Sequence, residues 1–215
     1  MTDYSQGGEQ EYILKALGYE VGVDGTPLGV FRGERLLDIG AWNAKTFSNS
    51  RALIEMGWSA VLFEPSPGPL HGLLKEYGSN PRVEVVGLPV SVKGGLMKIR
   101  CTDDALSSDE QNIEHFKTWE GYGFYGSLHT WAVAVWHVFD HWSRGDGSNN
   151  FDFVSIDTEG SSVDILAEML RLGDEWPRCI VVEYDNRFDE VKDLVKGRYR
   201  PLFYNGINIV LERIP

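Results

Sequence analysis

Several features that would indicate particular classes of protein are missing from this chain of 215 residues. No apolar run approaches the ~20 residues that a helix needs to span a bilayer, so we expect no membrane segment. The first eight residues hold neither a basic nor an apolar segment, which argues against a signal peptide. Cysteine is scarce: Cys101 and Cys179 are far apart and fit no metal-binding spacing. We therefore expect a cytoplasmic protein in which Cys179, within an apolar segment, is a buried thiol.

Positive charge is also in short supply. Lysine and arginine number 20 against 32 acidic residues, which gives a formal net charge of −12. A surface of this charge repels phosphate backbones, so a nucleic-acid partner is disfavoured. The composition is otherwise that of a globular chain, and it leaves the oligomeric state open.

Strand and helix patterns alternate along the chain, without internal repeats or a linker rich in proline, glycine or serine. Such alternation predicts an α/β fold, in which a mostly parallel twisted sheet has helices on both faces. We expect a single domain over residues 1–215, with an N-terminal helix and loop in residues 1–33. The segment 102–150 interrupts the alternation and is predicted to be an insertion that covers the substrate.

Two predicted strands end on carboxylates. The apolar segment 35–39 contains Asp38 and is followed by Gly40, and the segment 60–63 comes directly before Glu64. Since the carboxyl ends of adjacent parallel strands meet at one edge of a sheet, both acids are predicted to line one site. A glycine after the first strand lets the backbone approach a ligand, and the second acid accepts hydrogen bonds from ribose hydroxyls. The pattern is typical of a nucleoside site.

The glycine pattern argues against a dinucleotide. Pyrophosphate binding requires three glycines in a G-x-G-x-x-G pattern, and only Gly40 is present here. A nucleoside without phosphates needs less clearance, and S-adenosylmethionine is such a ligand. Asp38 is then placed to hold its cationic part, and the helix N-terminus near Ser48 faces its carboxylate. The alternatives are that Asp38 caps the following loop and that Glu64 only forms a turn.

The chain closes with a hairpin pattern. Asn205 and Gly206 separate the apolar runs 200–204 and 207–211, which is a strong hairpin signal. A parallel α/β sheet whose last strand returns antiparallel is the architecture of the class I methyltransferases. Dinucleotide domains of dehydrogenases have no such closing hairpin.

An ordered set of motifs resembles the FkbM family of S-adenosylmethionine-dependent methyltransferases. Each motif is common by itself, but the ordered set, which covers most of the chain, is not. The most specific motif is FDFVSIDTEG at 151–160. The others are SQGGEQ at 5–10, DIGA at 38–41, TFSNS at 46–50, EMGW at 55–58, FEPSP at 63–67, VEYD at 182–185 and YNGIN at 204–208. The family usually has Asp-Gly or Asn-Gly where this chain has Asn43-Ala44, and alanine adds a Cβ beside the ligand or excludes a left-handed backbone.

The resemblance implies a cofactor site for S-adenosylmethionine. Its predicted members are Gln6, Asp38, Gly40, Ala41, Ser48, Glu64, Pro65 and Asp157. Gln6 belongs to the site if the N-terminal segment folds over the strand ends, and simple helix capping is the alternative. The implied acceptor is a hydroxyl oxygen of a small molecule or a glycan. The alternatives are a methyltransferase that acts on protein and a non-catalytic structural or binding subunit that retains the fold.

Carboxylates at the last two parallel strand ends are candidates for catalysis. Asp157 and Glu159 follow the segment 151–156, at the edge nearest the transferred methyl, and an oxygen acceptor has to lose a proton. They are predicted to act as a general base or to bind the methionine amino group, and capping of the next helix is the alternative. A divalent metal ion is possible but not favoured. If one binds, its predicted ligands are Asp157, Glu183 and Asp185.

His129 is the third catalytic candidate. It lies in an aromatic-rich part of the segment 102–150, and either it or His137 is predicted to act as a base where this stretch covers the substrate. His137 and His141 share a helix face without a third ligand, so zinc is not expected. The aromatic side chains form either an acceptor pocket or part of a core or oligomer interface. They are Trp119, Tyr122, Phe124, Tyr125, Trp131 and Trp136.

Overall fold

The computed structural model of the protein describes residues 2–22, 27–28, 34–102, 108–109, 126–142, 151–173 and 177–215. The helices are α1 (Glu9–Ala16), α2 (Arg51–Glu55), α3 (Pro67–Tyr77), α4 (Val135–His141), α5 (Ser162–Arg171) and α6 (Phe188–Val195). The strands are β1 (Glu20–Val21), β2 (Pro27–Leu28), β3 (Arg35–Ile39), β4 (Ser59–Phe63), β5 (Val83–Val86), β6 (Val90–Ser91), β7 (Gly95–Cys101), β8 (Ser108–Asp109), β9 (Gly126–Ala134), β10 (Phe153–Ile156), β11 (Cys179–Glu183), β12 (Tyr199–Tyr204) and β13 (Asn208–Arg213).

The main sheet has seven strands in the order β12-β13-β11-β10-β3-β4-β5. All neighbours from β11 to β5 pair in parallel, whereas β13 runs antiparallel to both β11 and β12. The predicted architecture, a mostly parallel sheet with an antiparallel C-terminal strand, is confirmed. The closing hairpin is also confirmed, and the Asn205 side chain caps its turn by accepting from the amides of Ile207 and Asn208.

Alternating residues of each strand point to two separate cores. Leu37 and Ile39 of β3 pack in one core with helices α4, α5 and α6, and Leu36 packs in the other with α1, α2 and α3. The parallel strands are therefore buried on both faces, which explains their nearly continuous apolar sequences. Full burial of a leucine side chain contributes about 1.5–3 kcal/mol to the free energy of folding. The central strands are therefore strongly stabilised, and they hold the residues at the strand ends in fixed positions.

The same alternation places the strand-end acids on one face. Asp38 is two residues beyond Leu36, and Glu64 is two residues beyond Leu62, both of which pack against α1 to α3. Glu183 likewise follows Val181 on that face. Successive side chains of a strand point to opposite faces, so these carboxylates all lie on the side that α1 covers.

A second, smaller sheet has the order β6-β9-β7-β8. The sequence pattern of residues 90–101 predicts either a strand or a hairpin that turns at Gly94-Gly95, and the structure has two strands here, β6 and β7, which do not pair with each other. Both β6 and β7 pair instead with β9, which was not predicted. The pattern of β9 is misleading because Trp131, 67% exposed, occupies a solvent-facing position where a polar residue is usual.

Most predicted elements of the main sheet keep their bounds within one to three residues. The sequence pattern predicts a strand at 35–39 and a helix near 188–195, and both agree with the structure in full. It also predicts a helix from about 48 to 56. The observed helix α2 is shorter, because Phe47 has a left-handed backbone and the Ser48 hydroxyl accepts from the amide of Arg51. Both cysteines are buried and free. In the part of the chain that the structure describes, no helix is long and apolar enough to cross a membrane.

Gly40 leaves no room for a side chain where β3 meets the end of β10. Its φ is +87°, and a Cβ would lie 1.6 Å from the carbonyl oxygen of Asp157. Gly18 has a similar φ of +80°, but its Cβ position faces open space. The two glycines therefore separate a purely conformational requirement from a steric one.

We expect Gly40→Ala to lower the free energy of unfolding by clearly more than the ~1–2 kcal/mol that a left-handed alanine costs. The added methyl group forces the ends of β3 and β10 apart. Gly18→Ala is the matched control and should lose only the conformational part. Urea unfolding followed by tryptophan fluorescence measures both, and equal losses would contradict the steric explanation.

Candidate active site

Five buried or partly buried carboxylates gather at the carboxyl edge of the main sheet. They are Glu9 at the start of α1 and the strand-end residues Asp38, Glu64, Asp157 and Glu183. The strands contribute them because adjacent parallel strands end at the same edge, and α1 contributes Glu9 because it lies across that edge. The predicted convergence of Asp38, Glu64 and Asp157 is therefore present.

Asp38 lies beneath the edge. It is 4% exposed, and the hydroxyl groups of Ser50 and Ser155 donate hydrogen bonds to its carboxylate. Ser155 stands directly opposite Asp38 in the β3–β10 ladder, and Ser50 precedes α2. Burial raises the pKa of Asp38 to about 7, although the two hydroxyl hydrogen bonds oppose the shift. Asp38 thus ties β3, β10 and α2 together beneath the predicted cofactor position.

Glu64 is held by backbone amides. Its Oε2 accepts from the amide of Trp42 at 2.9 Å, and its Oε1 accepts from the amide of Ser66 at 2.7 Å. Burial raises the pKa of Glu64, although these amides favour the ionised form and oppose the shift. Pro65, between Glu64 and Ser66, is partly buried and fixes the turn that leads to α3.

The loop after β3 is held on several sides. The amides of Gly40 and Ala41 both donate to the carbonyl of Phe63, which fixes the start of the loop on β4. Trp42 and Phe47 adopt left-handed φ values of 37° and 56°, and their rings stack with centroids 5.8 Å apart. Such backbone positions cost about 1–3 kcal/mol each, and they cluster at functional sites.

Ala44, where the FkbM family usually has glycine, is accommodated in this loop. It is absent from the described residues with positive φ, and its buried side chain packs in the core that contains α1 to α3. Its carbonyl accepts from the Tyr77 hydroxyl at 3.1 Å. The left-handed positions fall instead on Trp42 and Phe47, so alanine at position 44 requires no strained backbone.

A cavity of about 370 Å³ opens between this loop and α3. Its volume is within the range of small-molecule pockets. The Trp42 that lines it is the residue whose amide binds Glu64. The lining residues are Trp42, Asn43, Ala44, Lys45, Gly68, Pro69, Gly72, Glu76 and Thr102.

The N-terminal segment lies over the strand ends, as the prediction for Gln6 requires. Glu9, fully buried, accepts hydrogen bonds from the side-chain amides of Asn205 at 2.7 Å and Asn208 at 2.9 Å. The Asn208 amide also reaches Gln6 Oε1 at 3.4 Å. The amide of Ser48 donates to the carbonyl of Tyr4, which fixes the segment on its other side. Residues 4–10 are thus fastened to both the closing hairpin and the loop before α2.

Glu9 and Asn208 were not predicted from the sequence to be site residues. Glu9 lies in the motif SQGGEQ and Asn208 lies in the motif YNGIN. The presence of both motifs, near the two ends of the chain, is the only sequence feature that could have indicated a contact between them. Their contact spans 199 positions, and such a pairing follows only from the fold.

A second group of acids lies at the ends of β10 and β11. Asp157, Glu159 and Glu183 each offer a carboxylate oxygen within 4.8 Å of those of the other two. Asp185 accepts from the amide of Gly160 at 3.0 Å and so joins the two strand-end loops. Glu159 and Asp185 both have left-handed backbones, with φ of 52° and 46°. The three acids whose oxygens lie close together are therefore Asp157, Glu159 and Glu183. The predicted metal ligands were Asp157, Glu183 and Asp185, so the two sets differ in their third member.

Burial dominates the electrostatics of this second group. It raises the pKa of Asp157 to about 6, and the nearby charges of Asp185 and Glu9 act in the same direction, while a hydrogen bond with Glu183 opposes them. Burial also raises the pKa of Glu183 well above its ordinary value, and the neighbouring carboxylates add to this shift. Two carboxyl groups in contact do not both ionise easily, so this pair tends to hold one proton or to attract a cation.

His129 belongs to the smaller sheet. It is exposed on β9 of the smaller sheet, opposite Lys98 of β7. Among the described residues, no hydrogen bond or ion pair joins it to the strand-end carboxylates. Trp131 and Trp136 are exposed on β9 and α4, and Trp119, Tyr122, Phe124 and Tyr125 lie outside the described residues. His137 and His141 do lie on one helix, α4, as predicted.

Together, the strand order and the acids at the ends of β3 and β4 define a class I methyltransferase fold. A family model for the methyltransferase FkbM domain matches residues 38–201, and the chain belongs to this family. The family implies methyl transfer and the use of S-adenosylmethionine. No curated protein matches the chain.

The solved structures that are similar to this chain include three with sequence identities of 12–14%. The fibrillarin/Nop5p complex has a TM-score of 0.47 at 14% identity, over 89% of this chain and 78% of that chain. Monomeric WbdD has a TM-score of 0.47 at 13% identity, and this chain, covered to 95%, spans 39% of its length. A predicted O-methyltransferase, protein Atu636 from Agrobacterium tumefaciens, has a TM-score of 0.40 at 12% identity, over 95% and 80% of the two chains.

Asp38 is expected to make stability fall as the pH rises. Its pKa increases from the ordinary 3.8 to about 7 on folding, so between these values the native state keeps a proton that the unfolded chain has released. The contribution is therefore fully present below pH 3.8 and is lost as the pH rises through 7. Urea unfolding at pH 5, 6 and 7.5 should show a shallower decline in Asp38→Asn than in the wild type. An unchanged slope, as expected for the exposed control Asp189→Asn, would contradict this assignment.

Glu9→Gln should loosen the N-terminal segment. The substitution keeps the size of the side chain but leaves only one oxygen for three donors, which are the backbone amide of Gly7 and the side-chain amides of Asn205 and Asn208. Loss of a buried hydrogen bond to a charged group costs about 1.5–3 kcal/mol. Hydrogen exchange should become faster in residues 4–10 and 205–208. The control is Glu11→Gln on the same helix, where an exposed pair with Lys15 is broken and exchange should stay unchanged.

Proposed function

We propose that the protein transfers a methyl group from S-adenosylmethionine to a hydroxyl oxygen of a small molecule or a glycan. The observation that carries the cofactor part is the position of Glu64, a buried acid at the end of β4 that accepts a hydrogen bond from the amide of Trp42, a residue that lines the cavity between the loop 42–45 and α3. Membership of the FkbM family supports methyl transfer. The choice of an oxygen acceptor rests on the chemistry of the acids at the ends of β10 and β11.

The residues present fit the nucleoside. Each oxygen of Glu64 accepts one backbone amide, and a carboxylate oxygen has a further lone pair that remains for a ribose hydroxyl. Gly40 and Ala41 keep the backbone of the loop close to β4 without bulky side chains. Ser48, buried before α2, and Gln6, in the segment above the edge, are proposed to contact the amino-acid part of the cofactor.

Methyl transfer to a hydroxyl oxygen requires the protein to position the acceptor and to remove its proton. When bound, S-adenosylmethionine supplies an electrophilic methyl on a good leaving group, so the acceptor has to be positioned in line and relieved of its proton. Asp157 and Glu159 are the proposed bases, because they lie at the end of β10 next to Gly40 and Asp38 of β3. With a pKa raised to about 6, Asp157 is suited to accept a proton near neutral pH.

The charge of the edge also limits the acceptor. The carboxylates Glu9, Asp157, Glu159 and Glu183 repel an anionic substrate and favour a neutral polyol or a cationic molecule. We propose that the segment 102–150 covers this acceptor, since Thr102 at its start lines the cavity. In this scheme residues 1–215 act as one domain, and His129 on β9 serves as a base only if the segment brings it to the acceptor.

A second candidate function is that of a non-catalytic subunit that retains the fold. The observation in its favour is that both Glu64 oxygens already accept backbone amides, from Trp42 and Ser66. If those hydrogen bonds are the only purpose of Glu64, the acid is a loop anchor and the edge binds no nucleoside. The two functions make opposite predictions for cofactor binding.

Calorimetric titration with S-adenosylhomocysteine distinguishes them. We expect the wild type to bind one molecule per chain and Glu64→Gln to bind at least tenfold more weakly, because the amide cannot accept from both ribose hydroxyls and both backbone amides. The control is Glu84→Gln, an exposed acid on β5 that should bind as the wild type does.

Thermal unfolding without ligand is measured in parallel for all three proteins. It separates a loss of cofactor contacts from a collapse of the loop 41–48. Absence of binding by the well-folded wild type would overturn the methyltransferase proposal and leave the non-catalytic function. If the wild type binds the cofactor product, the next experiment measures the transfer of radiolabelled methyl groups from S-adenosylmethionine to candidate polyols and glycans.

A further inference from the structure

The acids at the ends of β10 and β11 have the spacing of ligands around a single ion. Asp157, Glu159 and Glu183 offer oxygens that lie within 4.8 Å of one another. Oxygens on opposite sides of a calcium ion are separated by about twice the 2.3–2.6 Å metal–oxygen distance, and those around magnesium by about twice 2.0–2.1 Å. One cation between the three carboxylates therefore requires only small side-chain adjustments.

An independent observation comes from the neighbouring strand. Asn208 is 1% exposed and stands directly opposite Glu183 in the antiparallel ladder of β11 and β13. Directly opposed residues place their side chains on the same face, with Cβ atoms about 4.5–5.5 Å apart. Its amide nitrogen donates to Glu9, but its buried Oδ1 has no hydrogen-bond partner.

Glu183 also has a buried oxygen without a hydrogen-bond partner. Its Oε2 is buried and likewise lacks a hydrogen-bond partner. A buried acceptor without a partner costs about 1–3 kcal/mol, so two of them side by side call for a donor or a cation. Carboxylate and amide oxygens are the ligands that hard divalent cations prefer.

The surrounding charge favours the cation. The charged groups that act most strongly on Asp157 are Asp185 and Glu9, and those that act on Glu183 are Asp157, Glu159 and Asp185. All of them are carboxylates, so their mutual repulsion is relieved when a positive ion enters. A bound ion of charge +2 offsets this repulsion more fully than a single shared proton does.

We propose that Asp157, Glu159 and Glu183 bind one divalent cation of the hard type, Mg²⁺, Mn²⁺ or Ca²⁺, with the amide oxygen of Asn208 beside the same site. The hydrogen bond from Gly160 to Asp185 holds the two strand-end loops together and thereby positions Glu159. With the cation bound, Asp157 and Glu159 are its ligands rather than free bases, and the cation would lower the pKa of a hydroxyl that binds to it. The proposal does not depend on methyl transfer, because cation binding is measured without cofactor or acceptor.

The experiment is a titration of the full chain with Mn²⁺ after removal of metals by a chelator. Electron paramagnetic resonance reports free Mn²⁺, and we expect one ion bound per chain, displaced by an excess of Mg²⁺ or Ca²⁺. Asp157→Asn and Glu183→Gln should each weaken Mn²⁺ binding at least tenfold. Asp189→Asn is the control: its side chain is 91% exposed on α6, and its removal should leave binding unchanged.

Thermal unfolding with and without Ca²⁺ shows whether the variants fold. Since each removes a negative charge from a repelling group, their metal-free forms should melt no lower than the wild type, and only the wild type should gain stability with Ca²⁺. If Asp157→Asn or Glu183→Gln fails to fold, Glu159→Gln, at a partly exposed loop position, decides between the outcomes by the same tenfold criterion. The proposal is overturned if the wild type binds no Mn²⁺ at millimolar concentration, or if the folded variants bind it as the wild type does.

Discussion

The close contact of Gly40 with the end of β10 is the constraint on which the site depends. Only a residue without a Cβ allows the backbone of Gly40 to meet the carbonyl of Asp157. That contact brings the ends of β3 and β10 together, and with them Asp38 and Asp157. It also sends the loop 41–48 across β4, where its amides meet Phe63 and Glu64. A single backbone approach therefore sets the geometry of both groups of acids.

Burial of many carboxylates at one edge of the sheet is unfavourable in free energy, because each charged group loses its contact with water. The protein offsets this loss differently at different acids. Asp38 accepts hydroxyl hydrogen bonds, Glu64 accepts backbone amides, and Glu9 accepts side-chain amides from the closing hairpin. Asp157 and Glu183 instead face mainly other carboxylates. Replacement of buried charged groups by apolar residues is often neutral or stabilising, so fold stability gives no reason for this concentration of acids at the ends of β10 and β11.

The strands of the main sheet were predictable because their residues are apolar on both faces and end on acids or glycine. The ends of β3 and β4 were predictable for the same reason, since Asp38, Gly40 and Glu64 interrupt apolar runs. By contrast, β9 could not be predicted, because its exposed face carries Trp131 and the paired residues of β6 and β7 lie 25 to 43 positions earlier in the chain. The left-handed positions of Trp42 and Phe47 also escaped prediction, since neither residue type favours that conformation.

The sequence by itself determined the class of fold, its family and the identity of the strand-end acids, because these depend on local patterns of apolar residues and on short motifs. Tertiary structure alone decided which of the acids face one another. The union of Glu9 with Asn208, and of Asp157 and Glu159 with Glu183, joins residues from elements far apart in the chain. Strand order and register set those distances, and burial then sets the charge that each group carries.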